Sequence, residues 1–346
     1  MFRGTIGIYS DVMNMSDIAS RAGVSHATVS RVVNGSPLVR EQTAKRIRKI
    51  LEEVNFVPNT VAKALKYGLS KTYGLIIPDI KNPFFSEFLA ELEEVLAEID
   101  HEILLTSMQS RETLARSVRR MLTRSVDGAV FMASEFDTQD IEPLFLHKVP
   151  LVTIDRRMVR EGLSDVSIDY EKGYLEAVCH LKQLGHKRLG YIGGIEGLRT
   201  SKVRLDAFRA AVEQMGLRFY PNMVRSSDFK IPGGEQAAIS LMSQKVCPTA
   251  IMTISDLTAF GAIRGLNNLG MHVPTDVSLV GQDDVLLSEV FQPPLTTVRI
   301  PRRHMAEVCV RALNYTKEDV ERVGAYFTVP AELKVRKSTA PPQKHK

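Results

Sequence analysis

The sequence predicts a small all-α head with a helix-turn-helix, followed by an α/β body made of two doubly wound lobes. Three observations lead to this prediction. Residues 1–70 hold ten Lys and Arg against five Asp and Glu, and the rest of the chain holds equal numbers of both. Short helical patterns separated by turn residues fill the same basic region, whereas apolar runs alternate with longer amphipathic helices beyond it. The chain has 346 residues, which is longer than a domain with one average hydrophobic core, so more than one domain is expected.

The first helix is predicted over residues 15–22. Its apolar residues Met15, Ile18, Ala19 and Ala22 follow helical spacing, Asn14 is placed to cap its first turn, and Gly23 ends it. The pattern is typical of a short helix with one face in a core.

The second helix is predicted over residues 26–33, with Ser25 as its cap. Val29, Val32 and Val33 share one face, and the Asn34-Gly35 pair ends the helix. A third helix over residues 41–54 turns Ala44, Ile47, Ile50 and Leu51 inward and Lys45, Arg46, Arg48 and Lys49 outward. Three short helices that share one apolar stripe are expected to form a compact bundle.

The body is predicted from apolar runs that recur between helical patterns. The runs are YGLIIPDI, EILLTSM, DGAVFMAS, PLVTID, RLGYIGG, TAIMTIS and VSLVGQD. Near-continuous apolar strands separated by helices indicate a parallel sheet that is covered on both faces. The number of such units, with no fixed repeat period, favours two doubly wound lobes over a solenoid. The basic, Pro-rich segment at 338–346 is expected to be disordered.

Composition excludes several classes of protein. No run approaches the roughly 18 apolar residues of a membrane span, and the first residues do not resemble a signal peptide, so we expect a cytoplasmic protein. Cys179, Cys247 and Cys309 are far apart with no CxxC pair, which indicates neither a disulfide framework nor a zinc site. We expect them to be small buried apolar residues.

The spacing of the first two helices is that of a helix-turn-helix, whose second helix enters the major groove of DNA. With the valines turned inward, His26, Ala27, Ser30 and Arg31 face outward. Arg31 can fork onto guanine O6 and N7, and Ala27 can pack against a thymine methyl. Ser25, Thr28, Ser30 and Asn34 suit contacts to phosphates or groove edges. An ordinary helical hairpin with a solvated second helix is the alternative.

At these residues the chain resembles the lactose/galactose repressor (LacI/GalR) family of bacterial transcription regulators. The segments that carry the resemblance are MSDIASRAGVSHATVSRVVNG, NFVPNTVAKAL at 55–65, NPFF at 82–85, LGHKRLGYIGG at 184–194, SDLTAFGAIRGL at 255–266, and VGQDD followed by QPPLTTV. The resemblance covers Met13 to Lys337. It implies an N-terminal extension over residues 1–12, which we expect to be unstructured, a DNA-binding domain over 13–58, a hinge over 59–70 and an effector-binding and dimerisation body over 71–337.

The hinge contains a short helical pattern over residues 60–67 that Asn59 can cap. About eight residues fall short of the ~12 to 15 at which isolated helices become marginal. In the family that the chain resembles, this helix folds on operator DNA, pairs with its dimer mate and inserts a leucine into the minor groove. Leu65 occupies that position, and such a wedge kinks the duplex. A flexible tether, with Leu65 packed on a lobe, is the alternative.

A ligand site is predicted between the lobes, because open α/β sheets bind ligands beyond the carboxyl ends of their strands. The strand ends carry Asp79, Ser134, Asp155, Ser255 with Asp256, and Asp283 with Asp284. Carboxylates gathered in this way suit a ligand rich in hydroxyls, while Asp at a strand end can instead cap the next helix. Phe84 and Phe291 are candidates for apolar walls of the site.

The resemblance adds Arg204, which matches the effector-binding arginine of the family, and it implies a body like that of periplasmic binding proteins of type I. The chain departs from the family at Ala207, where Gly is common, and at Gln282, where an aromatic residue is common. The implied function is a homodimeric DNA-binding regulator, a repressor of a pseudo-palindromic operator, controlled by a sugar or a related metabolite. Neither a cofactor nor a metal is expected.

Two other functions compete with this one. An enzyme is disfavoured because GYIGGIEG at 190–197 is not GxGxxG and no Walker A, HExxH or GxSxG motif occurs. His180 and His186 are expected to be surface residues rather than ligands. A transport-type solute receptor would share the fold of the body, but the absence of an export signal and the basic helical head both count against it.

Overall fold

The computed structural model describes residues 13–56, 70–108, 110–132, 136–319 and 321–343. The chain divides into two compact units, Met1–Gly68 and Leu69–Lys346. We call them the head and the body.

Within its described part the head is a three-helix bundle. Its helices are α1 (Met15–Ala22), α2 (His26–Val33) and α3 (Glu41–Glu53). The Asn14 side chain accepts hydrogen bonds from the backbone N–H groups of Ser16 and Asp17, and Gly23 ends α1 with a φ of 62°, which a residue without a Cβ adopts at little cost. Fully buried side chains from each helix meet in the centre, namely Ile18, Val29 and Ile47. The helices predicted for the head are confirmed, with α3 one residue shorter.

The body alternates strands and helices. Its strands are β1 (Thr72–Ile77), β2 (Glu102–Ser107), β3 (Gly128–Phe131), β4 (Leu151–Ile154), β5 (Leu163–Asp169), β6 (Leu189–Ile192), β7 (Val224–Arg225), β8 (Ala250–Thr253), β9 (Ser278–Asp283), β10 (Thr296–Arg299), β11 (Tyr326–Pro330) and β12 (Glu332–Lys334). Its helices are α4 (Pro83–Ala97), α5 (Arg111–Thr123), α6 (Thr138–Leu146), α7 (Tyr170–Gln183), α8 (Arg199–Gln214), α9 (Ile231–Met242), α10 (Asp256–Asn268), α11 (Leu287–Val290) and α12 (Arg302–Lys317), with a 3₁₀ turn at Pro221–Met223.

The strands form one six-stranded sheet in each lobe. The first lobe has the order β11-β5-β4-β3-β1-β2 and the second has the order β12-β10-β9-β8-β6-β7. Neighbouring strands are parallel except β10 and β12. Leu75, Ile76 and Ile77 of β1 are all fully buried although successive side chains point to opposite faces, so helices cover both faces of this sheet. The predicted fold class of the body is therefore confirmed.

The chain passes between the lobes after β5, after β10 and after β11. The first crossing brings Tyr170, the first residue of α7, to the carboxyl end of the first sheet. The second crossing brings Arg302, at the start of α12, between the two lobes. These crossings position side chains of the site described below.

The segment after β12 differs from the expectation of a disordered tail. Ser338 is fully buried, and its hydroxyl accepts a hydrogen bond from the backbone N–H of Thr296 at 2.8 Å and donates to the carbonyl of Leu279 at 2.6 Å. Disorder is therefore wrong for residues 338–343, because backbone groups of the second sheet bind this polar segment.

The expected surface position is wrong for His186, whereas His180 is half-buried. His186 is 1% exposed. Its Nε2 lies 2.9 Å from the carbonyl of Ala340, and Nε2 of His180 lies 2.9 Å from the hydroxyl of Thr339. Both rings thus contact the C-terminal segment. The basic, Pro-rich composition of that segment did not predict these contacts.

The cysteines are free thiols. Cys309 is buried, whereas Cys179 and Cys247 are only half-buried. Among the described residues, no helix has the length and apolar character that a membrane crossing requires.

Candidate functional site

The outward face of α2 carries the side chains expected to read DNA. Val29 and Val32 are buried, while His26, Ala27 and Arg31 are exposed. Ser30 is half-buried. An exposed arginine, a methyl group and an imidazole on one helical face can meet the edges of base pairs without any change in the bundle.

The other short polar residues of this helix fix its ends. The Ser25 hydroxyl accepts from the backbone N–H of Thr28 at 3.2 Å and lies 2.9 Å from the Thr28 hydroxyl. The Asn34 amide donates to the Ser30 hydroxyl at 3.4 Å. The side chains in caps of this kind still have O–H and N–H groups that can donate to phosphate oxygens. Asn59 and Leu65 lie outside the described residues.

Positive charge on the head is largely uncompensated. Arg21 pairs with Glu53 at 2.6 Å and Arg48 pairs with Glu41 at 3.3 Å. Within residues 13–56, the basic side chains that form no such pair are Arg31, Arg40, Lys45, Arg46 and Lys49. Unpaired Arg and Lys side chains on so small a domain favour a polyanionic binding partner.

A second polar cluster, which we call the cleft cluster, joins the two lobes and consists of Asp155, Tyr170, Arg204, Gln282 and Asp283. Asp155 follows β4, and its carboxylate accepts from the backbone N–H of Ile168 and from the Tyr170 hydroxyl, both at 2.7 Å. Arg204 of α8 donates from Nη2 to the same Tyr170 hydroxyl at 3.0 Å. A continuous polar chain therefore runs from the first lobe to the second.

Arg204 reaches the second lobe through further contacts. Its Nη1 donates to the carbonyl of Ile254 at 2.9 Å. Because a guanidinium can only donate, the Gln282 amide presents its oxygen, which accepts from Nε at 3.2 Å and Nη1 at 3.0 Å, and its nitrogen donates to the Tyr174 hydroxyl. Burial alone would lower the pKa of Arg204, but neighbouring Tyr170 and Asp283 raise it overall, so the guanidinium stays charged.

Asp283 ends β9 beside this arginine. Its side chain is 4% exposed, and burial raises its pKa well above the ordinary value while the Arg204 guanidinium opposes the rise. Burial likewise raises the pKa of Asp155, opposed by its hydrogen bonds and by Arg204. Two buried carboxyl groups near one guanidinium can accept hydrogen bonds from ligand hydroxyls in a dry cleft, and a protonated carboxyl group can also donate one.

The backbone at Asp283 and Asp284 lies in the left-handed region, with φ values of 115° and 58°. For residues other than glycine such conformations are strained by roughly 1–3 kcal/mol. Arg302 donates to the carbonyl oxygens of both residues at 2.8 Å, which holds the turn in place. The Asp284 side chain points elsewhere, to Arg336 at 2.7 Å.

The remaining predicted cleft residues have local partners. Asp79 follows β1 and accepts from the backbone N–H of Lys81 at 2.9 Å, and Ser255 is the buried cap of α10. Phe84 is buried in the first turn of α4, and the Phe291 ring stacks on Phe260 with centroids 4.6 Å apart. In the described part of the chain, no hydrogen bond or ring contact joins these four to the cleft cluster. Ser134 lies outside the described residues.

Sequence reasoning missed Tyr170 as a site residue. It is a tyrosine at the start of a helix, and no motif indicates that its hydroxyl lies between Asp155 and Arg204. Asp256, grouped with Ser255 at the sequence level, is instead structural. It is fully buried and accepts from Thr297 at 2.6 Å, Ser288 at 2.7 Å and the backbone of Val285 at 2.9 Å.

Comparison with known families agrees with this arrangement. Residues 14–59 match the family described as bacterial regulatory proteins, lacI family, and residues 178–339 match a periplasmic binding protein-like domain. The chain is 31% identical over 327 residues to the HTH-type transcriptional repressor PurR of Photobacterium profundum, covering 94% of this chain and 98% of that protein. It is 32% identical to the catabolite control protein A of Priestia megaterium, covering 93% and 98%.

Solved structures of two transcription regulators resemble this chain over most of its length. A lac repressor dimer bound to operator and the anti-inducer ONPF superposes with a TM-score of 0.83 at 25% identity, covering 95% of this chain and 99% of that one. The transcriptional regulator CelR in complex with cellobiose superposes with a TM-score of 0.71 at 27% identity, covering 94% and 99%. Both comparisons extend over the head and the body.

Proposed function

Because this chain belongs to the lacI family of bacterial regulatory proteins, we infer that it is a DNA-binding transcription regulator whose DNA affinity depends on a small-molecule effector. It is a regulator rather than an enzyme. One observation carries this conclusion: a capped second helix with exposed His26, Ala27 and Arg31 occurs in the same chain as a buried polar cluster that links two lobes. The first is suited to base edges and the second to a small polar ligand.

In the proposed DNA contacts, Arg31 forks onto a guanine and Ala27 packs against a thymine methyl, with His26 and Ser30 beside them. Ser25, Thr28 and Asn34 contact phosphates or groove edges and set the register. Asn59 caps a hinge helix whose Leu65 enters the minor groove. If Leu65→Ala kept wild-type operator affinity and DNA bend in gel-shift assays, the wedge would be disproved.

In the proposed effector site, Arg204, Asp155 and Asp283 bind a hydroxyl-rich ligand, and Asp79, Phe84, Ser134, Ser255 and Phe291 complete its surroundings. A sugar or a related metabolite fits this donor and acceptor set, in keeping with the cellobiose bound to one structural relative. Gln282 and Ala207 alter the shape of the cleft relative to the common family pattern.

The regulator is proposed to act in the cytoplasm as a homodimer on a pseudo-palindromic operator, since a lac repressor dimer binds operator in one relative. Its parts would be a DNA-binding domain at 13–58, a hinge at 59–70 and an effector-binding and dimerisation domain at 71–337. An effector that prefers one lobe arrangement changes the spacing of the two heads, and the coupling is reciprocal.

The experiment is a selection of duplexes from a random pool by the full chain, followed by affinity measurements against salt. The expected result is enrichment of an inverted repeat, with a log-log salt slope of about −0.9 per phosphate contact. A thermal-shift screen of sugars and purines then supplies effectors, one of which should change operator affinity. Equal binding to the selected and random duplexes, with and without these solutes, would contradict the proposal.

A further inference from the structure

The amide of Gln282 covers one edge of the Arg204 guanidinium. Its oxygen accepts hydrogen bonds from Nε at 3.2 Å and from Nη1 at 3.0 Å. Gln282 lies in β9, one residue before Asp283, and its side chain is fully buried. As long as the amide keeps this position, a ligand cannot bind to the same edge of the guanidinium.

Two tyrosines hold the amide from its other side. The Gln282 nitrogen donates to the Tyr174 hydroxyl, and that hydroxyl lies 3.2 Å from the hydroxyl of Tyr191. Both tyrosines are fully buried, and the Tyr191 ring stacks on Phe208 with centroids 4.8 Å apart. Because the amide could turn away only by breaking buried hydrogen bonds, its oxygen stays on Arg204.

The N–H groups of Arg204 are mostly occupied by the protein. A guanidinium has five of them. Two donate to the Gln282 oxygen, a second one on Nη1 donates to the Ile254 carbonyl at 2.9 Å, and one on Nη2 donates to the Tyr170 hydroxyl at 3.0 Å. Among the described residues, the remaining N–H on Nη2 has no acceptor, and Arg204 is half-buried rather than fully buried.

One available N–H restricts the chemistry of the ligand. A hydroxyl or carbonyl oxygen of a ligand needs only one donor from the arginine. Carboxylates and phosphates are bound best by two parallel N–H groups of one guanidinium. Arg204 cannot offer such a pair while Gln282 occupies Nε and Nη1.

The charges of the cleft cluster also oppose an anion. The cluster holds one cation, Arg204, and two carboxyl groups, Asp155 and Asp283. Arg302, at the strained turn, is already bound to two backbone carbonyls and to Glu87. Even with Asp283 protonated, Asp155 balances the charge of Arg204, so an anionic ligand would be buried without a counter-charge, which is unfavourable.

From these contacts we propose that Gln282 makes the cleft selective for uncharged, hydroxyl-rich ligands, such as neutral sugars and nucleosides, over the corresponding acids and phosphates. The inference rests on the proposed function, because it concerns the same effector site. Gln282 is a positioning residue. It holds the guanidinium so that a single N–H donates to the ligand, while Asp155 and Asp283 accept from ligand hydroxyls.

The first experiment compares matched probes on the full chain. The pairs are glucose and glucuronate, galactose and galacturonate, ribose and ribose 5-phosphate, and adenosine and adenosine 5'-phosphate. Thermal shift identifies the compounds that bind, and calorimetry gives their affinities. We expect each neutral compound that binds to do so at least about tenfold more tightly than its charged partner, because the charged group finds no counter-charge.

Two variants at one position separate selectivity from a general structural effect. Gln282→Met keeps the length of the side chain but removes the acceptor, so Nε and Nη1 become available to a carboxylate as a pair. Gln282→Glu keeps an acceptor at the same place. The ratio of neutral to charged affinity should fall at least about fivefold in Gln282→Met and should stay equal or rise in Gln282→Glu. A loss of stability, measured by urea denaturation, would not by itself change this ratio.

The inference is overturned if a charged compound binds wild type as tightly as its neutral partner, or if no neutral compound of the panel binds. It is also overturned if the two variants change the ratio equally. The wild-type ratio decides the question even if a variant does not fold.

Failure of the proposed function gives a different result. If wild type prefers an inverted repeat and only a charged compound changes its operator affinity, the proposed function holds and this inference alone fails. If wild type prefers no duplex, DNA regulation fails, whereas the affinity ratios still report on Gln282.

Discussion

The Tyr170 hydroxyl donates a 2.7 Å hydrogen bond to Asp155 and accepts one of 3.0 Å from Arg204. Tyr170 belongs to the helix at which the chain first crosses between the lobes, and its two partners come from different lobes. One hydroxyl therefore connects the two walls of the proposed effector site. Its position links the geometry of the cleft to the arrangement of the lobes.

Removing this hydroxyl should destabilise the body. In Tyr170→Phe the buried Asp155 carboxylate loses a donor and Arg204 loses an acceptor, which costs about 1–3 kcal/mol of unfolding free energy. Urea denaturation of wild type and variant measures the difference. The matched control is Tyr326→Phe, whose hydroxyl donates to the Arg157 carbonyl on an exposed surface, and it should change stability by less than about 0.5 kcal/mol. Equal stability of Tyr170→Phe and wild type would contradict the role of the hydroxyl.

Effector binding should depend on Arg204 and Asp283. Arg204→Ala and Asp283→Ala each remove a charged hydrogen-bonding partner, so the affinity for the sugar or purine identified by thermal shift should fall about tenfold or more. Calorimetry of the full chain gives the affinities. Arg209→Ala, on the same helix but exposed and paired with Glu213, should bind as wild type does. The assignment of the cleft is wrong if both alanine variants keep native affinity.

Base reading by α2 should depend on Arg31 in a position-specific way. Arg31→Ala should cost about 1–3 kcal/mol of operator binding and relax the preference at one base pair of each half-site. Arg46→Ala removes an equally exposed charge from α3 and should weaken all duplexes alike. Binding curves on a set of single-base-pair operator variants separate the two patterns. An identical specificity profile for Arg31→Ala and wild type would refute the proposed guanine contact.

Arg302 should couple the first lobe to the strained turn at Asp283. It pairs with Glu87 of α4 at 3.0 Å while donating to the carbonyls of Asp283 and Asp284, and Glu87 also accepts from the backbone N–H of Leu286 at 3.0 Å. A double-mutant cycle of Arg302→Met and Glu87→Gln should give a coupling energy of about 0.5–3 kcal/mol by denaturation. Strictly additive effects would mean that the two side chains act independently.

Acid should destabilise the body through His186. Burial lowers the pKa of this imidazole, opposed by its bond to the Ala340 carbonyl and assisted by nearby His180. Because that carbonyl can only accept, Nε2 carries the proton and Nδ1 faces the Thr249 hydroxyl at 2.9 Å. The unfolded chain, with a His pKa of about 6.5, takes up a proton first as the pH falls. The stability present above that pH is therefore lost as the pH falls through the lower folded pKa.

Urea denaturation at pH 7, 6 and 5 tests this dependence. Wild type should lose more unfolding free energy on acidification than His186→Gln, which has no imidazole to protonate at this position and keeps His180, whose pKa burial also lowers. Parallel curves for the two proteins would show that His186 does not carry the pH dependence.

A truncation before Ser338 tests the contribution of the C-terminal segment itself. It should lower the free energy of unfolding at pH 7, because it removes buried hydrogen bonds.

Several features followed from neighbouring residues in the chain. The capped helices of the head and the covered parallel strands of the body were predicted because caps, turn residues and apolar periodicity act over a few positions. The expected contact roles of Arg31, Arg204 and Asp283 came from the same patterns together with the family resemblance. They remain predictions that the experiments above test.

Amino-acid order alone was enough for the helices of the head and for seven strands of the body, because backbone hydrogen bonds and apolar faces are local properties. It did not predict the strands β5, β7, β10, β11 and β12. Tertiary structure decided how groups distant in the chain meet. Tyr170 lies between Asp155 and Arg204, and Ala340 covers His186, only because the crossings between lobes and the return of the C-terminal segment bring them together. Because these polar side chains are buried, they form hydrogen bonds with one another, since a buried donor or acceptor without a partner costs free energy.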